Sequence, residues 1–321
     1  ANLTRCDMFL CFSSFGLRAH RVAREQFGAL TVVERGSSHI VFQDEIMREE
    51  YGKWGVPYQP VDSRILEKEI QEYEECDYIT VQSSFAEQTF AEQGVPREKV
   101  IKMPLGVDLQ TFRPVPKNDD TFRVLYAGTM SLRKGSLYML EAIRGLRLNN
   151  FEFVFNGHVA PEVKELVRPY ADIIRDVGTR PFDQLYKLYS QASVFVLPTI
   201  EDGFAKVVTE AVACGLPVIA TTNCGAQDVF TDGVEGFIVP IRNPEAIREK
   251  IMYLYDNPEK QKEMAKAFEA KTGIAVEVIP VEEKDLGKRA TAAAAAGDLP
   301  DVIYHTPVSY THLTLPTNRE V

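Results

Sequence analysis

Asp202 and Glu210 lie eight positions apart across a glycine-containing turn, in the segment Thr199-Ile-Glu-Asp-Gly-Phe-Ala-Lys-Val-Val-Thr-Glu-Ala-Val-Ala-Cys-Gly-Leu-Pro-Val-Ile-Ala220. The pattern predicts a strand end, a turn at Gly203 and then a helix. Such a junction would place the N–H groups of Phe204, Ala205, Lys206 and Val207 at a helix amino end. Unpaired N–H groups and the helix dipole together attract an anion, a phosphate above all. On spacing alone two readings stand. Either the two acids serve such a site, or Asp202 is an ordinary N-cap and Glu210 a solvated helix residue.

A second junction with chemistry is Gly128-Thr-Met-Ser-Leu-Arg-Lys-Gly135. Arg133 would offer a fork of donors and Lys134 a point charge, a set suited to a diphosphate or simply to solvent. The loop lacks both the Gly-x-Gly-x-x-Gly fingerprint and a Gly-Lys-Ser/Thr ending, which argues against hydride transfer and nucleoside-triphosphate hydrolysis. A third candidate is His39, in Glu34-Arg-Gly-Ser-Ser-His39 after an apolar run. A binding histidine and a structural one both fit there. His20 and His158 have no partner pattern around them and read as structural.

Positioning these residues requires a particular frame. Apolar runs at 122–128, 151–157, 173–178, 193–198, 217–222 and 236–240 alternate with helical periodicity at 134–146, 161–171, 182–192, 205–214 and 244–255. Near-continuous apolar strands separated by amphipathic helices predict a parallel sheet covered on both faces, which binds ligands beyond the carboxyl ends of its strands. The first part repeats the theme less completely. Strands are expected at 8–12, 30–33, 78–82 and 100–103, and helices at 17–26, 42–54, 66–73 and 85–93. Residues 108–120, with Pro114 and Pro116, read as a linker between two α/β domains that would face a cleft.

Composition narrows the class. Of 321 residues, 45% are hydrophobic and 26% charged, as in an ordinary globular chain, and the net charge of −10 argues against a nucleic-acid partner. Five cysteines are scattered without a Cys-x-x-Cys, so neither a disulfide framework nor a structural zinc is expected and a cytoplasmic setting is. No apolar run approaches the roughly 20 residues of a membrane span.

With those motifs in order, residues 6–266 resemble the family-4 glycosyltransferases, retaining enzymes of GT-B architecture. The match rests on Tyr126-Ala-Gly-Thr-Met-Ser-Leu-Arg-Lys-Gly135, Phe195-Val-Leu-Pro198, the segment 201–218, Gly225 and the segment 233–240. Upstream it rests on Cys76-Asp-Tyr-Ile-Thr-Val-Gln-Ser-Ser-Phe85 and Met103-Pro-Leu-Gly-Val-Asp-Leu-Gln-Thr-Phe-Arg-Pro114. The resemblance implies two Rossmann-like doubly wound domains, the first incomplete. Residues 1–117 would form the acceptor-side domain and linker, and 118–266 the nucleotide-sugar domain. It implies transfer of a hexose from a nucleotide-diphosphate sugar to an acceptor hydroxyl, without metal or cofactor.

In that scheme Asp202 stands at the first place of the family's acidic motif, near the donor sugar, and Glu210 at the second, on the ribose hydroxyls. Arg133 and Lys134 neutralise the departing diphosphate, as preorganised charge does elsewhere. Gly128, Thr129, Gly203, Phe204, Ala205, Lys206 and Val207 line the donor, Gly178 and Arg180 lie beside the base, and His39 reaches the reaction centre. The expected partners are the nucleotide sugar and a carbohydrate or lipid-linked acceptor, with peripheral membrane association of the intact enzyme. Two departures stand out: Asp202 is one methylene shorter than the family's Glu, and Thr129 occupies a place often held by Arg.

The two ends fit less well. The first domain reads as starting midway, which would leave sheet edges unpaired. From 267 onward, Phe268-Glu-Ala-Lys-Thr-Gly-Ile-Ala-Val-Glu-Val-Ile-Pro280 and Gly297-Asp-Leu-Pro-Asp-Val-Ile303 resemble the start of an extracytoplasmic sugar-binding protein, and 307–321 look like translated adapter. A chimeric reading frame joined at 264–268, with 267–321 as a poorly ordered foreign tail, is the expectation. The competing functional classes are another GT-B-type enzyme, a phosphorylase or epimerase, and a non-catalytic sugar-binding module.

Overall fold

The computed structural model describes residues 3–271. The first lobe runs β1 (Met8–Phe12), α1 (Leu17–Phe27), β2 (Leu30–Arg35), α2 (Ile40–Lys53), α3 (Ser63–Glu75), β3 (Tyr78–Val81), α4 (Ser84–Glu92) and β4 (Val100–Lys102). The second follows as β5 (Phe122–Met130), α5 (Ser136–Arg144), β6 (Phe151–Val159), α6 (Lys164–Val167), β7 (Ile174–Asp176), α7 (Leu185–Gln191) and β8 (Val194–Leu197). It is completed by α8 (Lys206–Ala213), β9 (Val218–Thr221), α9 (Ala226–Val229), β10 (Gly236–Val239), α10 (Pro244–Asp256) and α11 (Pro258–Lys271). The architecture is α/β with two parallel sheets, the expected GT-B type.

Local chemistry marks the boundaries. Gly28 closes α1 in the left-handed region, its N–H reaching Ala23 and Arg24 carbonyls, as helix-ending glycines do. Asp62, Ser83 and Asn243 cap α3, α4 and α10 with side-chain oxygens. The helix expected over 161–171 is broken into 3-10 turns flanking the short α6, because Pro161 and Pro169 remove backbone donors. Helix α11 was not among the expected elements. It runs through the join expected at 264–268, and Met264 is buried in the second lobe's core. The sugar-binding-protein resemblance and the foreign tail fall mainly on residues outside those described.

Strand order decides where a ligand can sit. The first sheet is β1-β2-β3-β4, in sequence order; the second is β10-β9-β8-β5-β6-β7. In the second sheet the chain leaves β5 in one direction for β6 and β7, then returns to place β8 on the other side. That reversal opens a crevice beyond the carboxyl ends of β5 and β8. Strands β8 and β9 are buried at every residue, so both faces of the sheet are covered. The first lobe's own strand-to-helix cradle is already filled. The N–H groups of Ser14, Gly16 and Leu17, at the amino end of α1, donate to the Glu72 carboxylate (2.7–2.8 Å).

Candidate functional site

The crevice at the switch point is walled by three loops that hydrogen bonds lock together. Ile200 N–H and Thr199 Oγ1 donate to the Arg133 carbonyl (2.9 and 3.2 Å), joining the loop after β8 to the loop after β5. Asp202 N–H donates to the Asn223 carbonyl (3.0 Å) and Asn223 Nδ2 to the Ile200 carbonyl (3.1 Å), adding the loop after β9. Gly135, at φ +60°, is required here: a Cβ would stand 2.0 Å from the Pro198 carbonyl oxygen.

The amino end of α8 follows the loop after β8, at this switch point. Its N-cap is Ala205, held at φ 63°, a left-handed conformation that costs a non-glycine residue energy and tends to mark functional sites. No side chain caps the helix. Asp202 is therefore not an N-cap; its carboxylate pairs with Lys134 Nζ. Among the described residues, the N–H groups of Phe204, Ala205, Lys206 and Val207 find no carbonyl partner. Glu210 lies one helical face further on, nearly buried rather than solvated, and accepts from Tyr189 Oη (2.9 Å). Burial pushes its carboxyl above the usual range, and the Tyr189 bond only partly offsets this.

The remaining predicted donor residues gather at the ends of β5, β6 and β7. Gly128 sits at φ +134° and Thr129 Oγ1 hydrogen-bonds His158 Nε2 (3.1 Å). Gly178 is left-handed at φ +66°, and Arg180 N–H donates to Asn156 Oδ1 (3.0 Å). Thus Asp202, Lys134, Glu210, Gly203 to Val207, Gly128, Thr129, Gly178 and Arg180 are brought to one end of one sheet.

Two expectations need correction. Arg133 is not a free phosphate ligand: its Nε donates to Glu201 Oε2 (2.8 Å), although 36% of its side chain stays exposed. His39 does not reach the crevice. Its Nδ1 accepts from Val41 N–H at the start of α2, and its ring packs against Tyr73 and Phe90 in the first lobe's core. Burial, with Arg35 nearby, holds its imidazole down at about 4, so it is neutral at physiological pH. The aromatic surroundings win because a neutral ring buries favourably there while its one acceptor is satisfied.

The residue that the sequence reading overlooked is Glu201. Its side chain is fully buried, yet it accepts from Ser37 Oγ (2.6 Å), Ser38 N–H (3.1 Å), Ser38 Oγ (2.8 Å) and Gln43 Nε2 (3.0 Å), besides Arg133. Burial alone would push its carboxyl up. The Arg133 charge and the serine hydroxyls outweigh that and hold it down at about 2. The available signal was the donor-rich Gly36-Ser37-Ser38 run, which suits an anion better than a turn needs.

A family model described as "Glycosyl transferases group 1" matches residues 108–271, just over half of the chain. An uncharacterized glycosyltransferase of Methanocaldococcus jannaschii is 30% identical over 139 residues, 43% of this chain and 39% of that protein. The chain spans between about two fifths and just over half the length of such curated relatives. Among solved structures, sucrose-phosphate synthase from Thermosynechococcus elongatus superposes with a TM-score of 0.67 at 23% identity, covering 83% of this chain and 68% of that one. HepE of Anabaena, solved in complex with UDP, gives 0.66 at 16% identity, covering 82% and 73%. Both share this fold.

Proposed function

Because this chain belongs to the group 1 glycosyl transferases, we propose that its crevice binds a nucleotide-diphosphate sugar and transfers the hexose to an acceptor hydroxyl with retention, as a family-4 enzyme of metal-independent type. The observation that carries this reading is the uncapped amino end of α8 at the switch point, with Glu210 beyond it and Lys134 at its side.

The diphosphate lies against the N–H groups of Gly203 to Val207, where the helix dipole and unpaired donors favour negative charge. Lys134, exchanging Asp202 for a phosphate oxygen, stabilises the charge that grows as the bond from the sugar to the diphosphate breaks. The Nη groups of Arg133 add to this field while its Nε stays on Glu201. Asp202 is then freed toward the sugar. Glu210 accepts from the ribose hydroxyls with the carboxylate oxygen that Tyr189 leaves open. Gly128, Thr129, Gly178 and Arg180 border the phosphates and base. The acceptor oxygen attacks on the face that the diphosphate leaves, and its proton passes to the departing phosphate oxygen.

The acceptor is a carbohydrate or lipid-linked hydroxyl, and the intact enzyme works in the cytoplasm, associating peripherally with membrane. Among the described residues no helix is long and apolar enough to cross a membrane. The presence of UDP in the HepE complex makes UDP the first nucleotide to try.

Calorimetric titration of the full chain with UDP, GDP and ADP tests the site. One nucleotide should bind saturably, and Glu210→Gln and Lys134→Ala should each weaken it about 10- to 100-fold, the scale of a lost charged hydrogen bond. Binding that neither substitution weakens would remove these residues from the site.

A further inference from the structure

We infer that Glu201 is the positioning residue of this crevice, pinning the first-lobe loop 36–38 to the loop after β8 and so holding the two lobes closed over it. Its functional meaning rests on the donor-site reading above, but the pin itself is a matter of contacts. Glu201 belongs to the second lobe, and four of its five hydrogen bonds come from the first: Ser37 Oγ, Ser38 N–H, Ser38 Oγ and Gln43 Nε2. The fifth comes from Arg133, in the loop that also carries Lys134. One carboxylate therefore joins three segments.

The backbone beside it shows how closely the lobes meet. A Cβ on Gly203 would lie 2.2 Å from the Gly36 carbonyl oxygen and 2.7 Å from Ser37 Cα, so only glycine permits the approach. Gly203 directly follows Asp202 and precedes the strained Ala205. The first-lobe loop thus presses on the turn whose N–H groups face the crevice. A strained conformation persists only where its surroundings over-determine it, and here the surroundings include the other lobe.

Five donors on a fully buried carboxylate also make opening selective. Parting the lobes strips Glu201 of its serine and glutamine donors, and a buried charge that loses hydrogen bonds must find water or another donor. Opening should therefore expose Glu201 and free loop 36–38 together, as one step.

Amide hydrogen exchange on the full chain without nucleotide tests this. The variants are Glu201→Gln and the double substitution Ser37→Ala, Ser38→Ala. Glutamine keeps the size of the side chain but removes the charge, and turns an N–H2 toward the donors of Gln43 and Arg133. In both variants exchange should rise at least about tenfold in segments 36–43 and 200–207, on both sides of the contact, with β6 and α10 unchanged. Ser37→Thr, which keeps the hydroxyl at a half-buried position, should behave as the parent chain.

Unchanged exchange in 36–43 would overturn the pin. So would a rise confined to the second lobe or spread through both sheet cores, which would mean that Glu201 only supports local folding. A parallel UDP titration separates the two readings: absence of nucleotide binding would count against the donor site and leave the exchange result to decide the pin.

Discussion

A buried imidazole and a buried carboxylate show how surroundings set the charge of a side chain. His39 is wrapped by Tyr73 and Phe90 and prefers to be neutral, whereas Glu201 is surrounded by donors and stays ionised. For His39 the consequence is a pH-dependent stability. Unfolded, an imidazole takes a proton near pH 6.5; in the fold it does so only at about 4. Between those values the unfolded state binds more protons, so stability rises with pH. The contribution is complete above the unfolded value and is lost as pH falls toward 4, amounting to about 2 kcal/mol at pH 5. His39→Phe should remove this dependence. The unfolding free energies of parent and variant, from urea titrations, should shift relative to each other by about 2 kcal/mol between pH 7.5 and 5, and parallel pH profiles would show that the ring is not what titrates.

At the scale of elements, helix α11 is part of the second lobe. The helix packs on α8 and α10, Met264 is 1% exposed in the core, and the matched family region ends at 271. Removing a buried thioether side chain leaves a cavity that the surroundings fill only in part. Met264→Ala should therefore cost about 2–4 kcal/mol, measured by chemical denaturation. A loss below about 0.5 kcal/mol, typical of a surface substitution, would mean that the helix is an appendage to the lobe. The same scale explains α8. No side chain caps its amino end, because the N-cap position is Ala205 and Asp202 pairs with Lys134 instead.

Across the whole molecule, three buried or half-buried acids join the lobes. Glu201 meets Ser37 and Ser38, Asp228 meets Ser84 and Lys102, and Glu50 meets Tyr138 and Arg242. Glu50 is fully buried, with Trp54 Nε1 donating at 2.9 Å, Tyr138 Oη at 2.9 Å and Arg242 Nε at 2.6 Å. Removing one partner of a buried pair strands the other charge. Arg242→Met should cost about 3–5 kcal/mol by scanning calorimetry, and adding Glu50→Gln should restore part of it by removing the stranded charge. A double variant no more stable than Arg242→Met would show that packing, not charge, was lost.

The sequence by itself determined the alternating strands and helices of the second lobe and the strand–turn–helix junctions at 128–135 and 199–206. These are local properties: periodicity, turn chemistry and helix starts are written in neighbouring residues. Partners were decided only in the tertiary structure. Ser37 and Glu201 are separated by 164 positions, and nothing local could tell that Arg133 would face a carboxylate rather than a phosphate. In the loop at Glu34 to His39 the serines, not the histidine, reach the other lobe. Which side of a turn a side chain takes depends on packing from distant segments: aromatic rings drew His39 inward, while the buried Glu201 carboxylate, already paired with Arg133, claimed the hydroxyls.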